Sequence, residues 1–231
     1  MGSQIAFQAA LCGFQVELQD IDEKRLIAAK QLTDAQIAKF IQRGIISAEQ
    51  AVVVGQLLQY EQSLKNAVSE ADIVIEAIIE NLQAKQQLFQ QVSEHISPTT
   101  ILATNSSMIG SSKLAPFAKY PENVCNIHFF NPITRMEVVE VVKGPHTSLE
   151  AAEKAIQFVK QLNKTPIFLN KEITGFIANR ILSKIMDEAV YLLENGIASI
   201  EEIDLACTKA LNHPIGPFAL IDLTGLDNRD I

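Results

Sequence analysis

His128 and Glu140 are the residue types best placed in this chain to move a proton. His128 sits near the end of Val124–Phe130 (VCNIHFF), just ahead of Asn131 and Pro132, and Glu140 follows 12 residues later inside Met136–Val142 (MEVVEVV). Both runs read as strands. A short turn between them would lay the carboxylate beside the imidazole. There it would fix the ring tautomer and stabilise the imidazolium. Imidazole titrates near neutral pH, so such a ring can take a proton from an alcohol and return it to a ketone. The structural alternative is a hydrogen-bonded core histidine and a solvated glutamate.

Ser107 and Asn179 are candidate ligands for a substrate oxygen. Ser107 follows the strand-like run at 100–104, where its hydroxyl could face a cleft; it could equally cap a helix near residue 110. Asn179 lies among Phe176, Ile177, Ala178, Ile181 and Leu182. A carboxamide in apolar surroundings needs partners, since an unsatisfied buried polar group costs about 1–3 kcal/mol. A substrate oxygen or a backbone group would serve.

Those side chains need a scaffold. Residues 2–12 read as an apolar helix stopped by Gly13, and residues 14–20 (FQVELQD) alternate at period two like a strand. A helix follows over 22–32, then a polar stretch without clear assignment to about 62. Residues 72–79 (DIVIEAII) form a β-branched apolar run of the kind a buried parallel strand uses. A Gln- and Lys-rich helix spans 81–96, and further strands are expected at 100–104, 124–130, 136–142 and 166–169. Strands alternating with helices imply βαβ units and a parallel sheet. Near residue 173 the pattern turns helical. Thr174 is a candidate N-cap for a helix to Glu194 with Gly196 beyond it, and Ser199 with Glu202 has capping-box spacing. The expectation is an α/β domain over 1–172 and a helical domain over 173–231.

Gly2 and Asp20 bear on a dinucleotide site. Such a site needs a first strand and then G-x-G-x-x-G at the head of a helix, with an acid about 20 residues on to meet ribose hydroxyls. Gly2 could be the third glycine, and Asp20 has close to the right spacing. A carboxylate there disfavours a 2′-phosphate. The alternative is a terminal glycine and a helix-capping aspartate.

The chain has 231 residues and a formal net charge of −8, with no basic stripe of the kind nucleic-acid binding needs. Cys12, Cys125 and Cys207 are widely spaced and odd in number, which fits free thiols in a reducing compartment. No Lys or Arg precedes Lys24, so no signal peptide is expected, and no apolar run reaches the length of a membrane span. A cytoplasmic protein without a structural metal is the expectation.

Several segments, taken in order, carry a resemblance: AIIENLQAK at 77–85, ATNSS at 103–107, IHFFNP at 127–132 with MEVVEVV at 136–142, GFIANR at 175–180, and HPIGPFALIDLTGLD at 213–227. Together they resemble the 3-hydroxyacyl-CoA dehydrogenase family, its 3-hydroxybutyryl-CoA members most of all. The resemblance implies a Rossmann-like doubly wound sheet followed by an all-helical domain, and an acyl-CoA oxidoreductase that uses NAD. It implies His128 and Glu140 as the catalytic pair, with Ser107 and Asn179 at the substrate oxygen. It places Glu80, Lys85, Asn105, Ser107 and Asn131 near the nicotinamide half of the cofactor, and Ala77 where the backbone passes it. It also implies a homodimer formed through the helical domain. A related dehydrogenase of free hydroxy acids and an inactive relative are the alternatives.

The chain departs from the family pattern at its start, where a first strand and two glycines are missing, and it stops early at its end. A doubly wound sheet lacking that strand is expected to carry two unpaired edges and to bind NAD weakly.

Overall fold

The computed structural model of the chain describes residues 1–224. It divides into two compact units, Met1–Ile173 and Thr174–Ile231. The first unit runs α1 (Gly2–Leu11), β1 (Val16–Gln19), α2 (Glu23–Gln42), α3 (Ala48–Leu57), β2 (Leu58–Glu61), α4 (Leu64–Val68), β3 (Ile73–Glu76), α5 (Leu82–Ser93), β4 (Ile101–Thr104), β5 (Val124–Phe129), β6 (Val138–Val142), α6 (Leu149–Gln161) and β7 (Thr165–Leu169). The second carries α7 (Ala178–Glu194), α8 (Ile200–Leu205) and α9 (Pro217–Thr224).

The strands of the first unit form two sheets. β1 pairs with β2 in parallel, and β3-β4-β5-β6-β7 form a second, five-stranded sheet. Among the described residues the two sheets end in unpaired edges at β1 and β2 and at β3 and β7. All four residues of β4 and all six of β5 are buried, whereas Ile73, Val74 and Ile75 of β3 are only half-buried.

The five-stranded sheet is parallel except at β5–β6, which are antiparallel. The parallel expectation fails there because no crossover helix separates the two strands, only residues 130–137. Alternation then sorts the side chains. Cys125, Ile127 and Phe129 on β5, with Val139 and Val141 on β6, enter one core with Ala151, Ala155, Phe158 and Val159 of α6. That helix presents them at helical spacing, and burying a side chain such as Phe158 contributes about 1.5–3 kcal/mol. Val124 faces the other layer, against Phe89 and Val92 of α5. Asn126, His128 and Glu140 share that second face by the period-two rule.

Two sequence expectations need correction. The unassigned stretch to residue 62 holds the rest of α2, all of α3, and the strand β2. That strand is invisible in the sequence because α3 passes into it at Leu57–Leu58 with no Gly, Pro or turn residue between them. Thr174 does not cap α7. The helix starts at Ala178, because Gly175 and Phe176 both take positive φ (74° and 50°), which no helix can incorporate. Residues 225–227 of the HPIGPFALIDLTGLD segment lie outside the described residues. At the far end of α7, Gly196 (φ 64°) closes the helix as expected, with Gly196 and Ile197 donating back to Leu193 and Leu192. Ser199 and Glu202 form the capping box at α8. Among the described residues no helix is long and apolar enough to cross a membrane, and no cluster of His, Cys, Asp and Glu could hold a metal. The three cysteines are unbridged, and burial pushes the Cys125 thiol up to about 12.

Candidate active site

The β5–β6 ladder sets His128 directly across from Glu140 as Cα partners. Their side chains leave the same face, and Glu140 Oε2 lies 2.8 Å from His128 Nδ1. Both are buried, at 0% and 3% exposure. Register fixes this pair. A slip of one residue would send Glu140 into the α6 core. The carboxylate accepts from Nδ1–H, which leaves the Nε2 lone pair for other work. Ser107 Oγ lies 3.0 Å from Nε2. The half-buried ring of Phe130 packs edge-on against the imidazole, 4.7 Å between centroids. The ring is thus held on three sides.

Ser107 belongs to the segment that leaves β4 and crosses over the second face. Asn105 Oδ1 accepts the Phe129 N–H at 2.9 Å. Ser106 Oγ accepts the Ile109 N–H at 2.7 Å and donates to Glu80. Further on, Glu172 accepts from Ser111 Oγ and from Ser112 N–H and Oγ. Its carboxylate lies so close over Gly110 that a Cβ there would come within 2.1 Å of it.

By charge and position near a helix start Glu80 and Lys85 suit an ion pair in solvent; they do pair, but only Glu80 is exposed, its side chain at 42%. Lys85 is 1% exposed. Its ammonium lies 2.6 Å from Glu76 Oε1 and 3.3 Å from Glu80 Oε2. Glu76, itself buried, also accepts from Ile78 N–H and Thr104 Oγ1, both at 2.7 Å. A buried charge is tolerable only when paired and bonded in this way. Burial raises the Glu80 carboxyl, but the Ser106 hydroxyl, the Lys85 ammonium and the Met108 N–H outweigh it and hold it below its ordinary value.

Most of the expected cofactor residues follow the carboxyl ends of strands, where open α/β sheets bind ligands: Asp20 after β1, Ala77 and Glu80 after β3, Asn105 after β4 and Asn131 after β5. Gly2 opens α1 between the two strands, and a Cβ on it would meet Ala77 and Leu18 at 3.8 Å each. Met1 supplies no side-chain cap and the first turn holds no acid, so the leading N–H groups suit an anion such as a pyrophosphate. Asp20 follows β1, its carboxylate accepting the Asp22 N–H at 3.0 Å with Arg25 4.0 Å away. Asp20 is not the helix cap that the sequence also allowed, since Asp22 caps α2, and Gly2 belongs to α1. Asn131 is exposed and accepts from Gln4 Nε2 at 3.2 Å, while Gln4 Oε1 accepts the Ile133 N–H at 3.0 Å. Asn179 lies in the first turn of α7 in the second unit, half-buried. The residues present therefore fit NAD.

Sequence reasoning missed Gln4, Glu76, Asn126 and Glu172. Two of them had a signal: Glu76 and Asn126 interrupt apolar strand runs, and a polar group in such a run demands a partner.

A histidine polarised by a buried carboxylate, opening on a hydroxyl beside a nucleotide-binding sheet edge, belongs to the class of nucleotide-dependent alcohol dehydrogenases. Comparison with known proteins narrows the class. Residues 1–173 match the NAD-binding domain of 3-hydroxyacyl-CoA dehydrogenase, and residues 175–230 match its C-terminal domain. A probable 3-hydroxybutyryl-CoA dehydrogenase of Bacillus subtilis is 36% identical over 98% of this chain and 78% of its own length. A 3-hydroxybutyryl-CoA dehydrogenase of Clostridioides difficile is also 36% identical, over 98% of this chain and 80% of its own. The crystal structure of an (S)-3-hydroxybutyryl-CoA dehydrogenase from Ralstonia eutropha superposes with a TM-score of 0.95 at 33% identity, covering 98% of this chain and 80% of that one. The chain belongs to the 3-hydroxyacyl-CoA dehydrogenase family. Its fold is a Rossmann-like α/β domain followed by a helical one, its cofactor is NAD, and it is an oxidoreductase.

Proposed function

We propose that the protein interconverts (S)-3-hydroxyacyl-CoA, in particular 3-hydroxybutyryl-CoA, and 3-oxoacyl-CoA. The observation that carries this reading is the chain of contacts Glu140–His128–Ser107. When bound, NAD supplies the acceptor for the hydride that leaves C3. His128 Nε2 takes the proton of the C3 hydroxyl as that carbon is oxidised, and in the reverse direction returns it to the ketone oxygen. Glu140 holds Nδ1–H and stabilises the positive ring. Ser107 Oγ, already 3.0 Å from Nε2, hydrogen-bonds the same substrate oxygen and so keeps it within reach of the ring. Because Glu140 is dry, its attraction for the imidazolium is not screened as it would be in water.

Asn179 is proposed as a second contact to the substrate oxygen, as the family resemblance implies. Gly2, Asp20, Ala77, Glu80, Lys85, Asn105, Ser107 and Asn131 are the proposed NAD contacts. Glu80 and Lys85 act as the linked pair described above, and Gly2 acts through the open first turn of α1. Residues 1–172 form the NAD-binding domain, and 173–231 the domain for substrate and dimer contacts. The amphipathic α7, with Ile181 and Tyr191 each 58% exposed, supports self-association as a homodimer, and the free thiols support a cytoplasmic location. The test is His128→Gln. It is expected to abolish NADH-linked reduction of acetoacetyl-CoA while the circular dichroism spectrum stays native. Turnover near that of the parent protein would sink the assignment.

A further inference from the structure

The segment that carries Ser107 is held partly by Ser106, whose Oγ accepts the Met108 and Ile109 N–H groups, and partly by β5. Asn126 lies two residues before His128 on that strand and leaves it on the same face. It is fully buried, at 0% exposure. Its Oδ1 accepts the Ser111 N–H at 2.7 Å. Its Nδ2 donates to the Ile109 carbonyl at 3.1 Å, with the Ser106 carbonyl at 3.5 Å. One carboxamide thus meets backbone groups on both sides of Ser107. Nothing in the proton relay uses it, and an apolar residue would suit the strand better. A polar side chain at the centre of a packed sheet is disfavoured unless its bonds are made, and here each is made to the segment between Ser106 and Ser111.

We propose that Asn126 is a positioning residue that sets the height of Ser107 above His128. Two residues apart on one rigid strand, Asn126 and His128 are a fixed ruler. Asn126 anchors the backbone at residues 106, 109 and 111, and His128 meets the hydroxyl suspended between those anchors. Glu172 pins the far end of the crossing at Ser111 and Ser112, so a loss of Asn126 loosens the Ser107 end without releasing the whole segment. Asn126 touches neither substrate nor cofactor and works through Ser107. The inference rests on the reading of Ser107 given above.

A double-mutant cycle over Asn126→Ala and Ser107→Ala tests it, read as kcat and KM for acetoacetyl-CoA and NADH. A misplacement of the order of an ångström costs up to about a hundredfold, so Asn126→Ala is expected to lower kcat about tenfold to a hundredfold and leave KM for NADH within about twofold. In the Ser107→Ala background the same change is expected to cost less than about threefold, because the group it positions is gone. Two results overturn the proposal: a kcat for Asn126→Ala within about twofold of the parent, or an equal loss in both backgrounds. Ser107→Ala with parental kcat would refute the reading of Ser107 itself, and this inference with it. If Asn126→Ala does not fold, the cycle is run with Asn126→Asp, judged by the same criteria. That variant keeps the volume and the acceptor for Ser111 N–H but loses the donor to Ile109.

Discussion

Replacing Glu140 with Gln changes one charge and almost no volume, which makes it the sharpest probe of the site. In the parent protein the carboxylate lies 2.8 Å from Nδ1 and is fully buried. Glutamine can still accept the Nδ1–H bond through its carbonyl, so the ring should keep its place. What disappears is the attraction between the carboxylate and the imidazolium that forms as the alcohol loses its proton. With charge centres roughly 4 Å apart and an effective dielectric near 20, that attraction is about 4 kcal/mol. Proton transfer is incomplete in the transition state, so about half to all of it is lost. That corresponds to a fall in kcat of roughly thirtyfold to a thousandfold. KM for (S)-3-hydroxybutyryl-CoA should barely move, since in the oxidation direction the ring gains its charge only as the hydroxyl proton is transferred. The assay is initial-rate NADH formation across a range of (S)-3-hydroxybutyryl-CoA concentrations, with thermal denaturation to confirm folding. A kcat within threefold of the parent, in a protein of unchanged stability, would show that the carboxylate is only a packing partner.

Other expectations follow from neighbouring features. The Glu80 carboxyl titrates below its ordinary value in the folded state, so it contributes stability above the unfolded-state pKa and loses it as pH falls through the folded one. Glu80→Gln should therefore flatten the acid side of a plot of Tm against pH; an unchanged slope would refute the coupling to Lys85 and Ser106. Asp20→Ala removes a carboxylate that repels a 2′-phosphate and leaves Arg25, whose side chain is 68% exposed, beside the site. The ratio of kcat/KM for NADP⁺ to that for NAD⁺ should rise about tenfold, equivalent to about 1.4 kcal/mol, and a constant ratio would rule Asp20 out of cofactor selection. Amide hydrogen exchange, read by mass spectrometry, should be faster in β1 and β3 than in β4 and β5, because only the former have open edges. Equal protection across the four strands would contradict the two-sheet arrangement.

The proton-moving pair was legible because its geometry depends on things a sequence records well. Two adjacent strands joined by a short connection leave few registers, and the apolar alternation of VCNIHF and VVEVV selects the one that puts His128 and Glu140 on a common face. The supports of the site were not legible in the same way. Glu172 precedes a domain boundary and gives no local sign that it reaches back to Ser111 and Ser112. Gln4 sits among apolar residues of α1, and its reach to Asn131 and Ile133 depends on tertiary placement across 127 and 129 residues. The start of α7 was misread because an aromatic residue at positive φ has no signature in composition. Lys85 was the most instructive case. Its charge and its place near a helix start suggested solvent, and only the carboxylate of Glu76, hidden in a strand, explains why it is dry.

Helix α1 does more than cover a sheet face. Its first turn stands between the ends of β1 and β3, and two residues further along Gln4 grips the segment that immediately follows His128 and Phe130. That single turn is in effect a clasp. Gly2 lies against Leu18 and Ala77, and Gln4 in the same turn holds Asn131 and Ile133, so the turn cannot shift without breaking two hydrogen bonds. Whatever seats against Gly2 is therefore in mechanical register with the loop at Asn131, although the two sheets share no backbone hydrogen bond.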